Sequence, residues 1–277
     1  MNSQTCCPVI ELRQYTLHAN ARETLIELFD REFVETQEAC GMRVIGQFRD
    51  LDNPDRFVWL RGFADMPRRA RALAAFYGGP VWKAHREGAN ATMVDSDNVL
   101  LLHPDSEDAG FDLHDASREP VGAQMPNNEL IVATIYAFGA PVDAGFLEFF
   151  AREVAPVLCE TGAPSASVTK SVARSATITP PLPLYGRGQR VRVLARLVTE
   201  YAANTFPALP VREGEHVFVW FAGFADHAAY GRHIAALVNS PRWRESTAPA
   251  LSRRLLQPPQ TLRLAPTARS LLRARAP

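Results

Sequence analysis

The sequence predicts an α+β protein made of two copies of one β-α-β-β-α-β unit, the ferredoxin-like split order, whose two sheets cover each other within one chain. Three observations carry this prediction. A block of residues recurs at a fixed offset, each copy shows the same order of strand-type and helix-type periodicity, and the strands are apolar on both faces.

The recurrence is read directly. Phe57-Val-Trp-Leu-Arg-Gly-Phe-Ala-Asp65 returns as Phe218-Val-Trp-Phe-Ala-Gly-Phe-Ala-Asp226, 161 residues on, and the match runs through Arg71/Arg232, Pro80/Pro241 and Trp82/Trp243. Upstream the offset is 121: Ile10 matches Ile131, Tyr15 matches Tyr136, and Leu25–Glu32 matches Phe146–Glu153, with Gly41 against Gly162. The difference, 40 residues, predicts an insertion in the second copy at about 172–211, containing Thr179-Pro-Pro-Leu-Pro-Leu-Tyr-Gly186. The expected organisation is a first unit over 8–104, an acidic linker over 105–127, and a second, degenerate unit over 128–267.

Within the first copy, Ile10–Leu17 reads as a strand. Asn20 with Glu23 three residues later has the pattern of a capping box. The helix that follows sets Leu25, Leu28, Phe29 and Phe33 on one face and stops at Gly41, the position where a left-handed residue ends a helix. Met42–Phe48 and Arg56–Phe63 alternate as two strands about the turn Leu51-Asp-Asn-Pro-Asp55. Asp65 and Pro67 open a second helix, which Gly78-Gly79 ends. A short helical piece starts at Pro80, and Val99–Leu102 is the last strand. Helices cover one face of such a sheet. The other face is also apolar, so a second sheet must cover it, giving a closed barrel or sandwich.

Composition sets outer limits. Apolar residues form 47% of the 277, and thirty basic residues balance thirty acidic ones. Nothing there points to nucleic acid or an anionic membrane. Lys83 and Lys170 are the sole lysines among many arginines, a bias expected of a GC-rich bacterial genome. The four cysteines make neither a disulfide framework nor a C-x-x-C pair, and the N-terminus lacks a signal-peptide pattern. The longest apolar run, about Leu130–Val142, is too short for a membrane helix. A cytoplasmic protein is expected.

The blocks Met42-Arg-Val-Ile-Gly-Gln-Phe-Arg-Asp50, Asp55-Arg-Phe-Val-Trp-Leu-Arg-Gly-Phe63, Ala75-Phe-Tyr-Gly-Gly-Pro-Val-Trp82 and Asp95-Ser-Asp-Asn-Val-Leu-Leu-Leu102 resemble the NIPSNAP family. The resemblance covers nearly all of the first copy and, more loosely, the second through Glu215–Phe224. It implies a dimeric α+β barrel, here an intrachain pseudo-dimer. Proteins of that fold include cofactor-free monooxygenases, isomerases and haem enzymes. The resemblance carries over no catalytic residue.

The differences between the copies supply the candidate site. Period-two alternation puts Phe57, Trp59, Arg61 and Phe63 on one face, expected to be the barrel face, with Val58, Leu60 and Gly62 toward the helices. Their counterparts are Phe218, Trp220, Ala222 and Phe224, so Arg61 is the one change of character. Glu11, Arg13 and Tyr15 become Val132, Thr134 and Tyr136, and Gln47 and Arg49 become Val168 and Lys170. Glu11, Arg13, Gln47, Arg49, Arg61, Trp59 and Trp220 are therefore expected to line a ligand site. Three arginines against one glutamate call for an anionic group on the ligand. The alternative is that these charges sit at barrel ends or pair with helix carboxylates such as Glu35 and Glu38.

Tyr15 and His85 are the candidate acid–base residues. Histidine is the side chain most often used for proton transfer, and His85 stands where the repeat has Ser246; a surface histidine is the plainer reading. The histidines form no H-x-x-x-H or H-E-x-x-H pair, so no metal or other cofactor is expected, although a haem held by one histidine, His85 or His103, stays open. The expected function is a metal-free enzyme of oxygenase, isomerase or lyase type acting on an apolar, acid-bearing metabolite. The competing expectation is a ligand carrier or protein-interaction module. The apolar 172–211 insertion, including Arg190-Val-Arg-Val-Leu-Ala-Arg-Leu-Val198, is expected to be an ordered arm over the barrel mouth or against another subunit, as a strand or a helix.

Overall fold

The structure, a computed structural model, describes residues 6–124, 128–160 and 191–274. Its first unit comprises β1 (Val9–Leu17), α1 (Arg22–Leu28), a π-helical turn (Phe29–Phe33), α2 (Val34–Ala39), β2 (Arg43–Asp50), β3 (Arg56–Phe63), α3 (Met66–Gly78), α4 (Pro80–Asn90), β4 (Met93–Asp95) and β5 (Val99–Pro104). The second comprises β6 (Leu130–Phe138), α5 (Ala144–Phe149), a π turn (Phe150–Val154), α6 (Ala155–Glu160), β7 (Arg192–Thr199), β8 (His216–Phe224), α7 (His227–Asn239), a third π turn (Trp243–Thr247), α8 (Ala248–Ser252) and β9 (Gln260–Pro266).

The strands run in the order β3-β2-β9-β6-β8-β7-β5-β1, and β1 pairs back onto β3. The sheet is thus a closed eight-stranded barrel, with β4 added to the end of β1. The two seams are equivalent. The last strand of the first unit pairs with the second strand of the second (β5–β7), and the reverse pair, β9–β2, closes the other side. Each unit completes the other's sheet, so neither leaves an edge. The pseudo-twofold relation expected from the repeat is present.

An eight-stranded barrel is just wide enough for side chains to fill. Ile10, Leu12, Val58 and Leu60 meet Ile131, Ala133, Val219 and Phe221 in one buried apolar cluster. Phe57, Trp59 and Phe63 instead pack with Leu25, Phe29, Phe33, Leu73 and Phe76, between the sheet and the first unit's helices. The expected faces are therefore reversed. The alternation was right, but Arg61 and Trp59 point to the helices and Val58 and Leu60 into the barrel. The physical reason lies in the charges: a closed interior has no water to solvate an ion, so the face whose ionisable groups are confined to the strand ends, as Asp50 and Arg56 are, must be the inner one.

The insertion also differs from expectation. Arg192–Thr199, inside the segment expected to be an added arm, is β7, an integral barrel strand. It pairs Arg196 with Trp220 and Val198 with Phe218, as β2 pairs Gln47 with Trp59 and Arg49 with Phe57. Arg196 and Val198 thus take the positions expected for Val168 and Lys170. Those two residues, Gly162 and Thr179–Gly186 lie outside the described residues. The extra length is divided: part precedes β7, and part is the β7–β8 loop, residues 200–215, against residues 51–55 between β2 and β3.

The helix boundaries follow local chemistry. Asp65 caps α3 by accepting the Arg68 amide at 2.5 Å, and Asp226 and Asp143 do the same for α7 and α5. Gly41, at φ 92°, ends α2 as expected. The capping box at Asn20 is absent. Asn20 is itself left-handed (φ 64°), Ala21 is the N-cap, and Glu23 pairs with Arg49 instead.

The linker and tail are built into the barrel. Phe111, Leu113, Leu271 and Leu272 join the interior cluster. Two equivalent glycines make room for the terminal segments. A Cβ on Gly62 would lie 2.4 Å from the Cys7 Sγ, and one on Gly223 would lie 2.8 Å from the Ala274 backbone.

Candidate functional site

The reversed faces bring the charges together in the layer between the first unit's sheet and helices. Glu11 and Arg13 on β1, Arg61 on β3 and Arg69 on α3 are all buried. The strand register sets Glu11 beside Arg61 and Arg13 beside Trp59. Arg69 follows the helical stripe of Ala72, Leu73 and Phe76 and so faces inward. Glu11 Oε2 accepts from Arg13 Nη1 at 2.6 Å and from Arg61 Nε at 2.8 Å, and its Oε1 accepts from Arg69 Nε at 2.7 Å.

One carboxylate thus serves three guanidinium groups, leaving two positive charges in excess. The surrounding polar atoms offset part of the cost. Arg61 Nη1 donates to Gln37 Oε1 (3.2 Å) and the Tyr77 hydroxyl (3.4 Å); Arg69 Nη1 donates to Asn204 Oδ1 (2.9 Å) and Thr205 Oγ1 (3.2 Å). The Arg61 guanidinium also lies 5.0 Å from the Trp59 ring centre, and that of Arg13 lies 5.4 Å from Tyr15's. Three buried donors remain without a partner: Arg61 Nη2, Arg69 Nη2 and Trp59 Nε1.

Burial by itself would raise the Glu11 pKa, but Arg61, Arg13 and Arg69 outweigh it and hold the carboxyl well below its usual range. Burial pushes the Tyr15 phenol up, against the opposing pull of Arg13. Arg13 Nε donates to the Tyr15 oxygen at 3.0 Å, which leaves that hydroxyl's own proton free to point elsewhere. Burial pulls the Arg69 pKa down, partly countered by Glu11. The layer thus sets three buried guanidinium groups beside one carboxylate and one phenol.

Of the residues expected from sequence, Glu11, Arg13, Tyr15, Trp59 and Arg61 come together. Gln47, Arg49, His85 and Trp220 make their contacts elsewhere. Gln47 Nε2 donates to Asp30 at 2.7 Å, and Arg49 forms a bidentate pair with Glu23 (2.8 and 2.5 Å). Burial raises Asp30 to about 6, though Arg269 and Arg118 oppose it. Trp220 packs on Phe150 in the second unit. His85 is half-buried, 3.4 Å from Glu32, with its ring against Phe33. His103 Nδ1 is 2.9 Å from the Pro104 carbonyl.

Sequence reasoning missed Arg69, Gln37, Tyr77, Asn204 and Thr205. Arg69 was open to detection as a charge on an apolar helical stripe. Its counterpart is Tyr230, and those of Gln37 and Tyr77 are Leu158 and Val238, so the copy-to-copy contrast extends to the helices. Asn204 and Thr205 come from the other unit through a loop with no sequence periodicity.

No group of three or more His, Cys, Asp or Glu residues able to hold a metal ion occurs among the described residues, nor is any helix there long and apolar enough to cross a membrane.

The fold and this layer define an α+β barrel formed from two ferredoxin-like units, one charged and one apolar. Residues 10–106, nearly the whole first unit, match the NIPSNAP family model. The whole chain is similar to a solved anthrone oxidase-like protein (11% identity, 99% of each chain covered, TM-score 0.52), a likeness of fold. It is also similar to an uncharacterized NIPSNAP-like domain protein from Burkholderia xenovorans (26% identity, 43% of this chain and 95% of that one, TM-score 0.33). A NIPSNAP family protein of unknown function from Agrobacterium tumefaciens shares 20% identity over 35% of this chain and 86% of its own, with TM-score 0.33. The sequence matches no curated protein.

Proposed function

We propose that the chain binds an apolar small molecule bearing a carboxylate or similar oxyanion in the sheet–helix layer of its first unit, and acts on it by proton transfer. One observation carries this reading: three buried guanidinium groups share the single carboxylate of Glu11, with Arg61 Nη2, Arg69 Nη2 and Trp59 Nε1 left open. A ligand oxyanion supplies both the missing charge and the missing acceptor. Trp59, Phe63 and Tyr77 around it provide an aromatic wall for the ligand's body.

Glu11 positions the three arginines and neutralises one of them. Arg61 and Arg69 hold the oxyanion. Tyr15, a phenol protonated at neutral pH whose hydroxyl proton is not used by Arg13, serves as general acid to negative charge developing on the bound molecule. His85 has no part in this step. The second unit, with Val132, Thr134 and Ala222 at the equivalent places, is the scaffold half.

Thermal-shift measurements against benzoate, salicylate, octanoate and inorganic phosphate test the reading, because a ligand of the native state raises the melting temperature. The expected result is a rise with at least one carboxylate in wild type that disappears in Arg61→Ala. A rise of equal size in the variant, or none with any of the four anions, overturns it.

A further inference from the structure

Among the described residues, the hydrogen-bond partners of Glu11, Arg13, Arg61 and Arg69 come from the first unit except Asn204 and Thr205, which arrive on the β7–β8 loop of the second. This loop is the longer member of its pseudo-symmetric pair, residues 200–215 against 51–55. It has no helix or strand of its own. Its two feet are fixed to β5: the Glu200 amide donates to Leu101 O at 2.9 Å and the Arg212 amide to Val99 O at 2.8 Å. Arg212 also holds Asn98 Oδ1 at 3.1 Å.

The tip between the feet is held differently. It folds on itself through Asn204, whose Nδ2 donates to Leu209 O at 2.9 Å. It then rests on α3 by few bonds: Asn204 and Thr205 on Arg69 Nη1, Thr205 Oγ1 on Met66 O (3.2 Å), and Phe206 stacked on Tyr77 at 5.9 Å. Tyr201, Ala202, Ala203, Thr205, Pro207 and Ala208 are exposed. Elsewhere the cluster is roofed by α2 and α3, whose backbone bonds are satisfied within the helices and whose apolar faces are buried. A segment with fixed feet, exposed backbone and a small buried contact opens at far lower cost than such helices.

We propose that the tip, residues 201–209, is a lid on the oxyanion site: it lifts from α3 about its feet at Glu200 and Arg212 to admit the ligand, and Asn204 and Thr205 close it by engaging Arg69. The proposal rests on the anion-site reading for what the lid admits. The second unit therefore contributes the gate while the first contributes the site, and this accounts for the unequal loops.

Phenylglyoxal, a dicarbonyl that modifies guanidinium groups, tests it. Arg61 and Arg69 are fully buried with the lid closed, so their labelling, mapped by peptide mass spectrometry, reports opening. Arg69 should label in the native protein much faster than β1 amides exchange with deuterium. Asn204→Ala/Thr205→Ala, and separately Phe206→Ala, should speed Arg69 labelling by roughly tenfold while leaving β1 exchange unchanged, since the first removes the three hydrogen bonds of the tip to α3 and the second its ring contact with Tyr77. Labelling that tracks β1 exchange in wild type, or that neither variant accelerates, overturns the lid. Inorganic phosphate in the same assay examines the underlying site. Protection of Arg61 and Arg69 supports it, and unprotected labelling that still depends on the loop overturns the anion reading while the gate stands.

Discussion

Glu11 is the residue on which the first unit's buried electrostatics turn, because it alone neutralises Arg13, Arg61 and Arg69 within the cluster. Removing it strands three buried cations, whereas removing one arginine lowers the excess charge. Glu11→Val should therefore cost about 3–5 kcal/mol, and Arg61→Ala should stay within about 2 kcal/mol of wild type, as read from urea denaturation midpoints. Equal losses in the two variants would contradict this account. His85→Ser, which copies the second unit's Ser246, should leave anion binding as it was. Two other groups, the buried His233 and the half-buried Asp30, give the protein a pH signature. Burial lowers His233 from 6.5 to about 4, so its stabilising contribution is complete above 6.5 and is lost as the pH falls toward 4. Asp30, raised from 3.8 to about 6, has the opposite sign: its contribution is complete below 3.8 and is lost as the pH rises through 6. Between pH 6.5 and 4 the two slopes oppose each other. Asp30→Asn removes one of them, so its denaturation midpoint should fall more steeply than wild type's over that range.

At the scale of elements, the two units act as controls for each other. The π turns at Phe29–Phe33 and Phe150–Val154 lie at the same repeat offset. Because they occur in the apolar unit as well as in the charged one, these turns do not depend on the charged cluster. The charged cluster occurs in one unit and is the functional candidate. Replacing Glu11, Arg13, Arg61 and Arg69 together by the second unit's Val, Thr, Ala and Tyr should yield a protein at least as stable as wild type, since a buried ion network gives way to apolar contacts already shown to pack in the repeat. The same protein should lose all anion-induced melting shift. Retained binding would place the ligand elsewhere. A fall in stability comparable to that of Glu11→Val would make the network part of the scaffold.

For the whole molecule, closure depends on segments outside the repeat. After β9 the chain crosses back over the first unit: the Thr267 amide donates to Gln47 O at 2.9 Å and the Leu272 amide to Ile45 O at 2.8 Å. Arg269 pairs with Glu35 and bonds the Asp30 carbonyl, and Leu271 and Leu272 enter the barrel core. Leu272→Ala should cost about 2–5 kcal/mol, as for other buried leucines. Ending the chain after Pro266 should cost more, because the exposed barrel end also loses the cover over Gly46 and Gly223. Thermal midpoints of the two variants check both, and a tail deletion without effect would mean that the barrel closes unaided.

The sequence by itself determined the duplication, the order of elements in each copy, the closed arrangement of two sheets and the contrast between a charged and an apolar half. These are legible because they reside in repetition and in side-chain period, which local sequence records. It also contained the clue to the faces: Ile10, Leu12, Val58 and Leu60 and their counterparts Ile131, Ala133, Val219 and Phe221 are all apolar, while the opposite parity carries the charges in mid-strand. Only the tertiary structure decided that Arg61 faces helices, that Arg69 joins Glu11 across 58 positions of chain, and that Asn204 reaches Arg69 from the other unit. It also separated Gln47 and Arg49 from the cluster and made Arg192–Thr199 a barrel strand. These facts depend on which surfaces are buried against each other, and an alternating strand is equally compatible with either choice until the second layer is in place.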